Sequence, residues 1–334
     1  MAPELIVHGR EPWNAETPGP LLAAGHVTSN GLHFVRCHGP VPAVDRAGYR
    51  LAVDGLVRRP LSLADLRGYP RAQVTATIVC AGNRRAELRP RPPSGVPWGP
   101  GAVGTALWGG VRLRDVLGAA GVEPAGRHVS FTGLDRVPIE AGEGSFGGSI
   151  PLEKALADEV LLADEMNGEP LPAEHGAPIR VVVPGYIGAR SVKWLAAVSV
   201  ERRPSTNYFH AVDYSLAGAP LGVQPLTAAI CDANPTELGG LAVRGYALAG
   251  AGRSLDLVEV SADGGRSWTR ADLEVPAEEP WSWRLWRVEL AAAPGGGTLV
   301  VRAFDGTGQP ADTDDVWNER GYMNNSWHRV HYET

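Results

Sequence analysis

Apolar residues fall in short runs along this chain, bounded by glycine and proline, and their spacing changes character beyond residue 215. Residues 50–57 (RLAVDGLV), 74–80 (VTATIVC) and 128–135 (HVSFTGLD) predict strands. SLADL (62–66) predicts a short helix with Ser62 as its N-cap. Residues 108–121 contain another short helix, stopped by Gly121. Residues 149–168 carry helical spacing and end at Asn-Gly. Residues 177–186 and 191–202 predict strands flanking the glycine-rich turn GYIGARS (185–191). Residues 1–50 read mostly as irregular structure, and 89–105 (RPRPPSGVPWGPGAVGT) as a loop. Residues 1–215 are therefore expected to form an α+β domain in which strands and short helices interleave. After residue 215 the helical patterns disappear. Strand-like segments at 241–250, 255–275, 281–292, 298–308 and 327–333 are separated by turn signals, and SADGGRSW (261–268) reads as a hairpin. Such spacing predicts an all-β, immunoglobulin-like sandwich over 216–334.

Composition narrows the possibilities. A chain of 334 residues suits two domains, and 42 glycines with 28 prolines favour many short elements. The net charge of −6 provides no global basic surface for nucleic acid. No apolar run approaches the roughly 18 residues of a membrane span. The N-terminal residues show neither a basic-then-apolar leader nor a twin-Arg start, which places the expected location in the cytoplasm, or in the periplasm if a leader has been removed. Three scattered cysteines (Cys37, Cys80, Cys231) make neither a disulfide framework nor a zinc site. There is no CxxC, HExxH, Walker or GxGxxG motif.

Cys80 carries the most chemistry. It ends an apolar strand and opens the turn AGNRR, so Arg84 and Arg85 place a positive field beside a thiol. Such a field favours the thiolate, which is a nucleophile or a metal ligand. The arginines are also planar, permanent donors suited to an oxyanion. A lone cysteine after a strand is more often a small buried hydrophobe, and the surrounding motifs decide between the two readings.

The segments VRCHGPVP (35–42), ATIVCAGNRR (76–85), GAVGTALWGGVRLRDVL (101–117), 165–195, VDYS (212–215) and WNERGYMNNSWHRVHYE (317–333) together resemble, in order, the sulfite oxidase family of molybdenum enzymes. The resemblance implies a molybdopterin-binding catalytic domain, then a sandwich that commonly dimerises. It implies a molybdenum–molybdopterin cofactor with Cys80 as the protein's metal ligand, a role a soft thiolate suits. It places Arg36, His38, Asp135, His175, Arg180, Arg190, Ser191 and Lys193 at the cofactor. The turn 185–193 is expected to offer backbone N–H groups to the cofactor phosphate. His328 and His331, on opposite faces of a strand, are read as structural.

The family's substrate positions fall on Arg36, Arg85, Trp98, Tyr214 and Arg320. Sulfite, a small anion, calls for such charge. The implied reaction is oxygen-atom transfer from a molybdenum–oxo centre to sulfite, with electrons leaving to oxygen or a separate redox protein. No cytochrome b5 segment or CxxCH haem site is visible. A reductase of nitrate or of another S- or N-oxide remains an alternative. Nitrate reductases resemble WNLMG where this chain has WNERG, and Arg320 favours sulfite, whereas the following GYMNNSW resembles nitrate reductases. A non-catalytic binding protein is the remaining alternative. Two departures stand out. Cys37 replaces a frequent Asn and reads as either a passive small residue or an oxidisable thiol. Glu319, beside Arg320, is expected to face away from an anion or to pair with an arginine.

Overall fold

The computed structural model describes residues 4–91, 93–140, 142–237, 239–274, 279–293, 295–308 and 317–333. The apolar runs become sheets. Arg71–Val79 pairs antiparallel with Val103–Arg112 along its whole length, and Val103–Arg112 pairs with Leu161–Met166. Glu169–Pro170 and Arg180–Val182 complete this sheet on Leu161–Met166. A second sheet is ordered Gly147–Pro151, His128–Gly133, Leu195–Glu201, Leu51–Gly55, Leu61–Leu63. Only the pairing of Leu195–Glu201 with Leu51–Gly55 is parallel there. One core joins both sheets through Leu51, Val53, Phe131 and Val198 on one side and Val111, Leu162 and Val181 on the other. Burying such side chains contributes roughly 1.5–3 kcal/mol each.

Leu113–Ala120 is the longest helix among the described residues. Leu113, Val116, Leu117 and Ala120 recur at helical spacing and enter the same core. Gly121 ends the helix at φ 74°, donating its N–H to Leu117 O, because a left-handed terminus suits a residue without Cβ. No helix among the described residues is long and apolar enough to cross a membrane.

Beyond residue 226 lie two four-stranded antiparallel sheets. One is ordered Thr227–Pro235, Gly240–Leu248, Arg284–Ala291, Asp272–Leu273, and the other Thr269–Arg270, Leu257–Ser261, Gly297–Phe304, His328–Tyr332. Ile230, Val243 and Trp286 of the first share a core with Val258, Val260 and Val301 of the second. The expected hairpin is present, pairing Val260 with Thr269 across a loop where Asp263 accepts the N–H groups of Arg266 and Ser267.

The first part is mostly β with few helices, where interleaved helices were expected. Residues 61–63 form the edge strand Leu61–Leu63, not a helix capped by Ser62, because pairing with Leu51–Gly55 uses both alternate leucines. Residues 149–168 hold one helical turn, Leu152–Ala155, between the strands Gly147–Pro151 and Leu161–Met166. Leu161, Leu162 and Ala163 are all buried, so the strand is covered on both faces and its continuous apolar run mimics helical spacing. The first fifty residues contain three short strands, Ile6–Arg10, Trp13–Glu16 and Val35–Arg36, in one sheet.

The turn after Cys80 is fixed from the C-terminal sheets. Arg84, 1% exposed, sits at φ 64°, a conformation that costs a non-glycine residue free energy. Its guanidinium donates to Ser326 O (2.8 Å), Ala228 O (3.2 Å) and Glu87 Oε2 (2.9 Å). Asn324 Nδ2 donates to Arg84 O, and Asn83 Nδ2 to Tyr246 Oη. His328 Nδ1 accepts Ile230 N–H at 2.9 Å. Its Nε2 therefore carries the proton and faces Glu87 Oε1 at 3.4 Å.

Candidate active site

A cavity of about 690 Å³, including its open mouth, lies against the end of Arg71–Val79. Cys80 reaches it because the strand ends there and its N–H pairs with Ala102 O. The turn 188–190 closes over it. A Cβ on Gly188 would stand 2.9 Å from Ile78 Cγ2 and 3.0 Å from Val79 O, so the approach needs glycine. Arg36, His38, Cys80 and Tyr214 share the wall with Asp135, His175, Arg180, Ser191 and Lys193. Nine of the thirteen residues expected at the site thus line one cavity.

The wall is rich in unmatched positive charge. Arg180, 4% exposed, donates to His175 O and Ser191 O and lies 4.8 Å from the Trp108 ring centroid. Burial lowers its pKa to about 9. Lys193 Nζ donates to Glu174 O (2.8 Å) and Cys37 Sγ (3.2 Å), with burial lowering its pKa and the Cys37 sulfur opposing that. Arg36 donates to Asn14 Oδ1 and Cys37 O. Burial works against its charge, but Tyr214, Cys80 and Tyr322 outweigh it and raise its pKa. Among the described residues Asp135 is the only carboxylate on the wall. Its Oδ1 accepts Phe146 N–H, and burial raises its pKa. His33, His38 and His175 are held neutral, their pKa values lowered first by burial, His33 to about 4. Cations withdrawn from water cost several kcal/mol each without partners, so the arrangement calls for an anionic ligand.

The chain matches the oxidoreductase molybdopterin binding domain over residues 38–209 and the Mo-co oxidoreductase dimerisation domain over 223–334. It is 45% identical to sulfite oxidase of Gallus gallus over 98% of this chain and 77% of that protein. This chain belongs to the sulfite oxidase family. It is also 37% identical to sulfite oxidase of Arabidopsis thaliana, over 98% of this chain and 93% of that one. Its fold is similar to the sulfane dehydrogenase SoxCD of Paracoccus pantotrophus, with a TM-score of 0.83 at 28% identity over 99% of this chain and 88% of the other.

The cavity suits the cofactor of the sulfite oxidase family. Among the described residues no cluster of three or more His, Cys, Asp or Glu is arranged to hold a metal. A metal at Cys80 would need further donors from outside the protein, such as the sulfurs of a dithiolene. The unmatched Arg180 and Lys193 suit the phosphate such a cofactor carries.

Four expected residues do not line the cavity. Arg190 turns its guanidinium to Leu221 O (2.8 Å) and Tyr214 O (3.3 Å), which fixes the backbone of Tyr214 instead. The N–H groups of Arg190 and Ser191 already donate to Ile187 O and Gly188 O, so they are not the open anion nest expected of this turn. Trp98 is fully buried, its ring 5.0 Å from that of His8 in an edge contact. Its Nε1 has no partner among the described residues. Arg85 donates to Val96 O and sits 5.1 Å from the Tyr322 ring centroid. Arg320 Nη1 donates instead to Asp213 Oδ1 at 2.8 Å, an ion pair with a partly exposed carboxylate. Glu319 is exposed.

Three neighbours were missed. Asp213 lies 4.0 Å from His38 Nε2 and precedes Tyr214 in VDYS, a carboxylate beside an expected substrate contact. Tyr322 stacks on Tyr214 at 5.1 Å and 11°; its place two residues from Arg320 was the available signal. His33 lines the cavity with no signal in its neighbourhood. Cys37 also lines it, and Lys193 gives its sulfur a role beyond a passive small residue.

Proposed function

We propose that this chain is a molybdenum-dependent enzyme that oxidises sulfite to sulfate. The observation that carries the reading is the Cys80 thiol on a buried, cation-rich cavity where, among the described residues, no cluster of three or more His, Cys, Asp or Glu is arranged to hold a metal. When bound there, molybdopterin supplies oxygen-atom transfer and accepts two electrons. Cys80 holds the metal. Arg180, Lys193, His175 and Ser191 hold the pterin and its phosphate, with Arg190 fixing Tyr214 from behind.

Arg36, Arg85 and Arg320 attract the dianion. Tyr214 is the proton-handling group: its hydroxyl shares a 2.9 Å hydrogen bond with His38 Nε2, and burial raises its pKa to about 12. It thus keeps its proton near neutrality and can orient an anion. The same His38 Nε2 lies 4.0 Å from Asp213 Oδ2, so a partly exposed carboxylate stands beside this hydrogen bond. Trp98 walls the site behind Cys80.

Residues 1–215 form the catalytic domain, and 216–334 an immunoglobulin-like sandwich through which two copies pair. Electrons leave to an external acceptor. Metal analysis paired with sulfite-dependent ferricyanide reduction tests the reading. About one molybdenum per chain with turnover supports it. Bound molybdenum without sulfite turnover moves the substrate to nitrate or another oxide, and absence of molybdenum after expression in a cofactor-competent host overturns it.

A further inference from the structure

Tyr322 belongs to none of the expected site residues, yet two of them pack on its ring and a third shares the carboxylate its hydroxyl faces. It is 5% exposed. Its own N–H donates to Asn318 Oδ1, Asn318 Nδ2 donates to its carbonyl, and the next residue, Met323, donates its N–H to Ala81 O. The ring is therefore fixed relative to the turn that carries Cys80. One contact is the stack on Tyr214, the phenol on the cavity wall. Another is the Arg85 guanidinium, 5.1 Å from the ring centroid. The Tyr322 hydroxyl lies 3.4 Å from Asp213 Oδ1, the oxygen that Arg320 already holds at 2.8 Å.

Arg85 depends on that ring. Its guanidinium makes one hydrogen bond, to Val96 O, and its Nε has no partner among the described residues. A Cβ on Gly82 or Gly95 would come within 2.7 or 2.6 Å of its terminal nitrogens, and one on Gly321 within 2.5 Å of its Cγ. The side chain lies in a slot with glycine on three sides, and the aromatic face supplies the attraction that a second acceptor would otherwise give. Its charge is felt at Tyr214 and His38.

We propose that the Tyr322 ring is the positioning element of the anion-binding side of this site, holding the Arg85 guanidinium and the Tyr214 phenol in register for a small oxyanion. This rests on the sulfite reading above. Molybdenum-loaded wild type, Tyr322→Leu and Tyr322→Phe are compared by sulfate affinity in calorimetry and by sulfite KM and kcat per molybdenum. Removing the ring weakens sulfate binding and raises KM by about tenfold, the scale of a buried cation–π contact, with kcat per molybdenum changed about twofold or less. Tyr322→Phe keeps both values within about twofold of wild type. If Tyr322→Leu does not fold, Tyr322→Met carries the same expectation. Sulfate affinity and KM unchanged in the ringless variant overturn the proposal, and so does an equal loss in Tyr322→Phe. Wild-type protein that binds sulfate but does not oxidise sulfite refutes the functional reading alone, because the affinity comparison still tests Tyr322.

Discussion

Cys80 and Arg320 stand at opposite ends of what a single substitution can reveal. Cys80→Ser removes the proposed protein donor to the metal, so molybdenum retention and turnover should fall by more than the 10–100-fold typical of losing an outer-shell partner. Metal content after gel filtration and ferricyanide turnover measure this; an active, metal-replete variant would remove Cys80 from the ligand set. Arg320→Met should raise sulfite KM about ten- to a hundredfold, the scale of a charge-assisted hydrogen bond. It also leaves Asp213 without its 2.8 Å partner. The double variant Arg320→Met/Asp213→Asn separates the two effects: recovery of KM on adding Asp213→Asn would show that the freed carboxylate, not the lost arginine, repels the anion.

At the scale of elements, the turn 81–87 is the joint between Cys80 and the C-terminal sheets. Glu87 works here through charge. Burial pushes its carboxyl up, but Arg84 and His328 outweigh that and hold its pKa at about 2 against an ordinary 4.5. A depressed acid contributes stability that is fully present above pH 4.5 and is lost as pH falls toward 2. Glu87→Gln should therefore lower stability near neutrality by on the order of 2 kcal/mol and flatten its loss below pH 4.5. Urea unfolding at pH 7 and pH 3 checks it; equal losses at both would remove the charge argument. The same turn shows what the sequence could tell. Cys80 and its arginines were legible because the strand before them is a continuous apolar run and the turn is polar. The difference between Arg84 and Arg85 was not, because it is set by carbonyls at 228 and 326 in one case and by a tyrosine ring at 322 in the other. The helix expected over 62–66 failed for a similar reason, since a partner strand over 51–55 outweighs local capping.

For the whole molecule, the two parts are joined by polar contacts that neither can replace alone. Tyr246 Oη donates to Pro100 O and accepts from Asn83, while Trp283 Nε1 donates to His26 O. Deleting residues 216–334 removes the partners of Asn83 Nδ2, Pro100 O and His26 O and leaves the Arg84 guanidinium with Glu87 in place of three acceptors, at about 0.5–1.5 kcal/mol for each lost hydrogen bond. The truncated chain should be insoluble or unfolded, and a folded, metal-binding fragment in gel filtration and circular dichroism would contradict this. The pairing of two copies is checked by sedimentation, where one species at the mass of a single chain would count against it. The return of residues 317–333 to the catalytic centre has a temporal side. Arg320, Tyr322 and the carbonyl of Ser326 leave the ribosome after every other residue of the site. Until then the nascent chain has Cys80 on a turn that still lacks its Ser326 and Asn324 clamps. Loading of the cofactor is therefore expected on the completed polypeptide, and a chain that stops before residue 317 should fail to retain molybdenum.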